Sequence, residues 1–253
     1  MSDQDRLDAI VAIARRAGVL IMKYYQGQIA VAEKTDGSPV TNADRAADAL
    51  IVPALQSLTP DTPVVSEESV EAGEIPDVSG GTFWLVDPLD GTKEYINRNG
   101  DFTVNIGLIR DADPVLGVVL APVQGKAWAG SVNGGAYEED AAGGRRRIHV
   151  RTANPSALTI VASRSHRSPE LEDYIAAQSV KESISRGSAL KFCLVARGDA
   201  DLYPRTGPTM EWDTAAGHAV LLAAGGSMEM FEGGAFRYGK PDFRNGWFVV
   251  RGG

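Results

Sequence analysis

Acidic residues in this chain recur where apolar runs end. Three segments stand out: Val64-Val65-Ser66-Glu67-Glu68-Ser69, Trp84-Leu85-Val86-Asp87-Pro88-Leu89-Asp90-Gly91-Thr92, and Glu211-Trp212-Asp213-Thr214-Ala215-Ala216-Gly217. A carboxylate beside a buried run is costly to desolvate unless something neutralises it. Each segment alone also has a plain reading: Asp90-Gly91 is a common turn pair, Asp213 suits the N-cap of a following helix, and Glu67-Glu68 suits a solvated loop. Together they favour chemistry. Asp87 follows apolar residues, and Pro88 forces a bend that exposes the Leu89 carbonyl and turns Asp90 to the side of Asp87. Two carboxylates three apart around such a bend can grip one hard cation or bridge two. Carboxylate, carbonyl and water oxygens are the ligands of Mg²⁺ and Ca²⁺. There is no EF-hand loop, and His149, His166 and His218 are far apart with no zinc-type spacing, so Mg²⁺ is the favoured metal.

Elements must hold these residues in place. Leu7, Ile10, Val11, Ala14, Ala17 and Ile21 repeat at helical spacing and predict a helix over Arg6 to Tyr25. Thr41 and Asp44 have capping-box spacing and predict a second helix from near Asn42. Short apolar runs follow at Pro63–Ser66, Thr82–Val86, Thr103–Ile109, Val115–Leu120, Lys126–Ser131, Gly135–Glu138 and Arg147–Val150, whose spacing suits antiparallel strands. Asp140 to Arg147 reads as a loop, its three arginines a solvated turn. Beyond it come a strand at Thr159–Ala162, helices at Glu170–Gln178 and Ala189–Arg197, a strand at Ala200–Tyr203 and a buried helix at Thr214–Ala224. Strand alternating with helix suggests an α/β layer. The expected division is an α+β part over residues 1–146, with most of the metal ligands, and an α/β part over 147–253 that supplies Asp213.

Composition narrows the classes. The chain has 253 residues, enough for one large or two modest domains, and a formal net charge of −8. That balance argues against a coat for DNA or RNA, whose affinity comes from Lys and Arg on phosphates, but allows small phosphorylated ligands. The one cysteine, Cys193, sits in an apolar run and reads as core. The N-terminus lacks a signal-peptide layout and no stretch of about 20 apolar residues occurs. The expectation is a cytoplasmic protein without integral membrane association, and no basic amphipathic helix supports a peripheral role at the inner membrane.

The segments Ser66-Glu67-Glu68-Ser69, Asp87-Pro88-Leu89-Asp90-Gly91-Thr92 and Trp212-Asp213-Thr214-Ala215-Ala216-Gly217 closely resemble the three signature motifs of the inositol monophosphatase superfamily, a group of Mg²⁺-dependent, lithium-sensitive phosphatases. Lys93-Glu94-Tyr95-Ile96, Ser163-Arg164-Ser165-His166, Gly187-Ser188-Ala189-Leu190-Lys191-Phe192-Cys193 and Leu202-Tyr203-Pro204-Arg205 look like its bacterial 3′(2′),5′-bisphosphate nucleotidase branch, with Tyr95 where that branch commonly has Phe. The resemblance runs from about Thr41 to the C-terminus. It implies a layered α-β-α-β-α sandwich of the inositol monophosphatase and fructose-1,6-bisphosphatase type, and removal of the 3′-phosphate of adenosine 3′,5′-bisphosphate. It further implies that Glu67, Asp87 and the Leu89 carbonyl hold one Mg²⁺, that Asp87, Asp90 and Asp213 hold a second, and that a third, weaker ion binds near Glu67. Thr92 and Asp44 would orient and deprotonate the attacking water. Gly91, Thr92 and Lys93 would meet the scissile phosphate. Gly187, Ser188, Lys191 and Arg205 would meet the second phosphate, with His166 near the base or a phosphate and Asp213 also at the substrate.

Two rival readings remain. Within the superfamily the substrate could be an inositol phosphate or fructose bisphosphate; Lys93-Glu94 and the Gly-Ser-x-Leu-Lys segment favour the nucleotide. From another class, a non-catalytic metal- or nucleotide-sensing module could use the same acids, and would need neither Thr92 nor Asp44. No protein partner can be named from the residues.

Overall fold

The computed structural model describes residues 1–27, 30–33, 39–163 and 168–253. Helix α1 (Asp3–Gln26) starts at a Ser2/Asp5 capping box and buries the predicted stripe from Leu7 to Ile21. The strands β1 (Val31–Glu33) and β2 (Pro39–Thr41) form an antiparallel pair that delivers the chain to α2 (Asn42–Leu58). The predicted capping box is present at the start of α2: Asp44 Oδ2 accepts from the Thr41 N–H at 2.9 Å, and Thr41 Oγ1 accepts from the Ala43 N–H at 3.1 Å.

The strand β3 (Val64–Ser66), the short helix α3 (Glu67–Glu71), β4 (Thr82–Asp90) and the short helix α4 (Thr92–Ile96) follow, then β5 (Thr103–Arg110), β6 (Asp113–Ala121), β7 (Lys126–Ser131), β8 (Gly135–Glu139) and β9 (Arg145–Ile148). The strands β3 to β9 lie in sequence order in one seven-stranded sheet. All neighbours are antiparallel, as expected, except that β3 and β4 are parallel. The long connection through α3 supplies the crossover that a parallel pair needs. Along β4, Phe83 and Leu85 join one apolar cluster while Trp84 and Val86 join the other. Both faces are covered, which is why this strand reads as a continuous apolar run.

The three arginines at 145–147 are not a turn. They form β9, paired with β8, because Glu138 and Glu139 lie opposite: Arg145 bridges Glu139 at 2.7 Å and Asp8 at 2.7 Å, and Arg146 reaches Glu138 at 3.6 Å.

The second half carries β10 (Leu158–Ser163), α5 (Pro169–Ala176), β11 (Val180–Arg186), α6 (Leu190–Ala196), β12 (Leu202–Arg205), α7 (Glu211–Ala223), β13 (Ser227–Met230) and β14 (Phe248–Arg251). Its five-stranded sheet has the order β11-β10-β12-β14-β13. The strand β11 is an edge strand with mostly exposed or half-exposed residues, so no apolar alternation announces it. The layers run α1 and α2, large sheet, α6 and α7, small sheet, α5, held by three apolar clusters between them. This is the expected α-β-α-β-α sandwich of α/β with α+β character.

The helix α7 lies in the middle layer, as its lack of a polar face suggests. Gly107 and Gly117 let it come close: a Cβ at Gly107 would stand 2.9 Å from the Ala216 nitrogen, and one at Gly117 would stand 2.7 Å from the Ala216 carbonyl oxygen. The helix begins at Glu211, earlier than predicted. Met210 is its N-cap residue, and Asp213 occupies the third helical position, where its carboxylate accepts the Met210 N–H at 2.8 Å. No described helix is long and apolar enough to cross a membrane.

Candidate active site

The bend at Pro88 is a β-bulge rather than the end of a strand. Asp87 pairs with Asn105 and Asp90 with Thr103, so three steps on β4 oppose two on β5. A bulge takes a proline without losing a ladder bond and re-aims the residues around it. Leu89 is buried, its N–H bonded to Asp87 Oδ1 at 3.0 Å. Gly91 then turns the chain with φ +91°, a left-handed conformation that glycine adopts at no steric cost, and α4 begins at Thr92.

This turn brings Thr92 back onto α2. The Thr92 hydroxyl donates to Asp44 Oδ1 at 3.2 Å and lies 3.4 Å from the Leu89 carbonyl oxygen. Asp44 is 3% exposed, and its other oxygen is taken by Thr41. Burial holds the Asp44 carboxyl above its ordinary range, against the lowering effect of the Thr41 bonds. One carboxylate therefore caps a helix and accepts the threonine proton.

Asp87 is 2% exposed. Burial pushes its carboxyl well above the usual range, and the charges of Glu67, Asp90, Asp213 and Asp44 push it further. Asp213 is raised in the same way, first by burial and then by Asp90 and Glu67; the Met210 N–H and the Arg205 guanidinium oppose the shift. Glu67 enters from the start of α3, just after β3. Four elements thus aim acids at one another, and the largest charges acting on Asp87 are all negative. Such a set fits a hard divalent cation, whose charge repays the desolvation and repulsion that the acids carry. The donors are all oxygen, the Leu89 carbonyl included, which suits Mg²⁺ rather than zinc. Among the described residues no three acidic, imidazole or thiol side chains form a finished ligand cage, so the fit rests on charge, burial and donor type.

Asp90 is held on one side only. Its Oδ2 accepts from the Ser188 hydroxyl at 2.6 Å, the Ala189 N–H at 2.7 Å, Asn105 Nδ2 at 3.2 Å and the Thr103 hydroxyl at 3.4 Å. Its other oxygen has no hydrogen bond among the described residues. Asn105 and Thr103 are fully or almost fully buried. Sequence reasoning passed over both, yet two polar residues at i and i+2 on an otherwise apolar strand are a readable signal that one face meets something polar. Just before α6 the Ala189 N–H serves Asp90, and Ser188, with a left-handed φ of 54°, brings its hydroxyl to the same oxygen.

The acids lie along a cleft of about 300 Å³ whose wall includes Glu67, Asp90, Thr92, Lys93, Gly187, Ser188, Lys191, Arg205 and Asp213. Its wall also holds two buried cations. Lys191 is 5% exposed and donates to the Ser188 and Arg186 carbonyls; Arg205 is 7% exposed, bonds the Pro208 carbonyl at 3.1 Å, and has a buried Nε without a partner among the described residues. Burial lowers the Lys191 ammonium to about 8, and Arg205 adds to the lowering, while Asp90 opposes it. His166 lies outside the described residues. His218 does not line the cleft; it is buried on α7 with Nδ1 3.1 Å from the Tyr238 hydroxyl, and burial lowers it to about 3.

Residues 3–248 match the inositol monophosphatase family. The chain belongs to that family. It is 49% identical, over 96% of its own length and 98% of the relative's, to the 3′(2′),5′-bisphosphate nucleotidase CysQ of Escherichia coli. Identity is 43% to the CysQ of Buchnera aphidicola, over 92% of this chain and 87% of that one. The crystal structure of CysQ from Bacteroides thetaiotaomicron superposes with a TM-score of 0.85 at 40% identity, covering 99% of this chain and 98% of that one. An inositol monophosphatase from Anabaena superposes with a TM-score of 0.78 at 25% identity, covering 99% of this chain and 91% of that one. The family is one of metal-dependent phosphatases.

Proposed function

We propose that this chain is a 3′(2′),5′-bisphosphate nucleotidase that removes the 3′-phosphate of adenosine 3′,5′-bisphosphate, leaving AMP. The observation that carries this is one cleft whose wall holds both a cluster of acids and two buried cations, Lys191 and Arg205. The acids suit metal ions that hold the reacting phosphate. Lys191 and Arg205 suit a second phosphate, with the planar Arg205 as a bidentate partner. An inositol monophosphate would leave those two side chains unused. The CysQ relatives, named for the bisphosphate nucleotidase activity, support the same reading.

Glu67, Asp87 and the Leu89 carbonyl would hold one Mg²⁺, and Asp87, Asp90 and Asp213 a second; Glu67 is the residue nearest a third. Bound there, the ions supply Lewis-acid stabilisation of the charge on the phosphoryl and leaving oxygens. The chain does the rest. Thr92 Oγ1 accepts a proton from the attacking water as its own proton passes to Asp44 Oδ1. The water oxygen bonds to phosphorus, the ester bond breaks, and the ribose oxygen leaves to be protonated. The Gly91 and Thr92 N–H groups and Lys93 hold the phosphate, and Gly187 and Ser188 shape the wall between the two phosphates.

Phosphate release from adenosine 3′,5′-bisphosphate, inositol 1-phosphate and fructose 1,6-bisphosphate, each with Mg²⁺ and with chelator, tests the reading. The nucleotide should be preferred and chelator should stop the reaction. A clear preference for inositol 1-phosphate overturns the substrate, and binding without turnover favours a sensing module.

The buried ammonium predicts a pH limit. A depressed Lys191 binds a second phosphate fully below about pH 8 and loses its proton above it. The profile of kcat/KM reports groups of the free enzyme, so for the bisphosphate it should fall by about tenfold between pH 8 and pH 9 to 10. Lys191→Met should start lower and lack this limb. The same limb in the Met variant would assign it to another group.

A further inference from the structure

The mechanism leaves one carboxylate of the cleft without work. Glu94 lies in the first turn of α4, two residues past Thr92, and its side chain lines the cleft. Its only hydrogen bond among the described residues is to its own backbone N–H, and it has no ion pair there. The Lys191 charge eases the burial cost of this carboxylate without forming an ion pair with it among the described residues. Asp90 and Asp101 add like charge nearby. A lone carboxylate in a cleft for a doubly phosphorylated substrate repels the substrate unless it meets a donor on it.

Its position says which donor. Glu94 Oε2 lies 3.4 Å from where a Cβ on Gly91 would stand, so the carboxylate sits beside the residues assigned to the scissile phosphate. On a ribose 3′,5′-bisphosphate the donor adjoining the scissile ester is the hydroxyl of the neighbouring ring carbon; any amino group of the base is much further away. The side chain is also braced. A Cβ at Gly187 would stand 2.9 Å from Glu94 Cγ and 2.7 Å from the Asp101 carbonyl oxygen, and the Gly187 N–H bonds Asp101 Oδ2 at 3.3 Å. Glycine at 187 is what leaves Glu94 its room.

We propose that Glu94 is the ribose-selecting residue of this cleft, its carboxylate accepting a hydrogen bond from the free 2′-hydroxyl next to the scissile 3′-phosphate. The inference rests on the nucleotidase reading above. It makes Glu94 a specificity residue that touches substrate, and Gly187 a positioning residue that acts through it. A hydrogen bond to a charged group typically decides about 10–100-fold between a substrate and its analogue lacking the donor.

The test compares kcat/KM for adenosine 3′,5′-bisphosphate and its 2′-deoxy analogue in the wild type, Glu94→Gln, Glu94→Ala and Gly187→Ala. The wild type should prefer the ribonucleotide by about 10–100-fold. Glu94→Ala should collapse that ratio to below about threefold, with most of the loss falling on the ribonucleotide, and Gly187→Ala should lower the ratio by displacing Glu94. Glu94→Gln, which keeps a neutral acceptor, should fall between. A wild type without preference, a ratio unchanged in Glu94→Ala, or parallel loss on both substrates overturns the inference alone. A wild type that hydrolyses neither nucleotide overturns the nucleotidase reading instead.

Discussion

Asp213→Asn should reduce Mg²⁺-dependent phosphate release by about 10³-fold or more, because an ion clamp worth several kcal/mol in the transition state loses a ligand. The same variant should melt at a higher temperature than the wild type in chelator at pH 7. The two effects have one origin. Asp213 is half-buried, and its desolvation, with the charges of Asp90 and Glu67, holds its carboxyl well above the ordinary range. The folded state then binds a proton more tightly than the unfolded chain. Stability from this group is fully present below the unfolded value near pH 4 and is lost as pH rises through the raised folded value. At pH 7 without cation the charge is a net cost. Asparagine removes that charge and keeps an oxygen for the Met210 N–H, so the helix cap survives. Each kcal/mol recovered moves the midpoint by about 2–4 °C at this chain length. Thermal melting with and without Mg²⁺, from pH 5 to 8, should show a wild type that gains from the ion and a variant that gains little. A variant that gains as much as wild type, or that turns over normally, would remove Asp213 from the metal site.

The acidic cluster of the cleft was legible because chemistry there is written in residue type. Carboxylates at the ends of apolar strands are unusual enough to be noticed, and their spacing around Pro88 said what they could bind. The holding of Asp90 was not legible in that way. It depends on the register of β4 against β5, which sets Thr103 and Asn105 under its carboxylate, and on the second half of the chain swinging Ser188 and Ala189 onto the same oxygen. Long-range pairing of that kind leaves only a faint trace, the Thr103 and Asn105 pair in an apolar strand. The helix α7 shows the same limit. Its apolar body was readable, but its first turn is fixed from outside: Glu211 is fully buried and bonded to Lys240 at 2.9 Å, and Asn245 bonds the Met210 carbonyl at 2.7 Å. No local rule announces a start set by residues thirty positions on. The arginines of β9 failed for a related reason, since the partners that make them a strand, Glu138 and Glu139, are legible only once the strands are paired.

Thr92→Val should lower kcat by about 10²–10⁴-fold, the usual worth of a positioned proton-transfer group, with KM little changed. Valine keeps the shape and loses only the hydroxyl, so the first turn of α4 and the Leu89 carbonyl should stay in place. Among the described residues the hydroxyl is the one group that bonds Asp44 Oδ1, at 3.2 Å, while Thr41 fully engages the other carboxylate oxygen. Burial of Asp44 makes its carboxylate a better proton acceptor than an exposed one, which is what the step needs. Asp44→Asn is the matching variant: an amide oxygen can still accept the Thr41 N–H and keep the cap of α2, yet it cannot take the proton. If the two residues form one relay, the double variant should be no slower than the worse single one. Independent roles would instead multiply the losses. A sensing module makes the opposite forecast, binding nucleotide and Mg²⁺ equally in all four proteins and turning over in none, so steady-state kinetics and binding titrations on the same set decide between them.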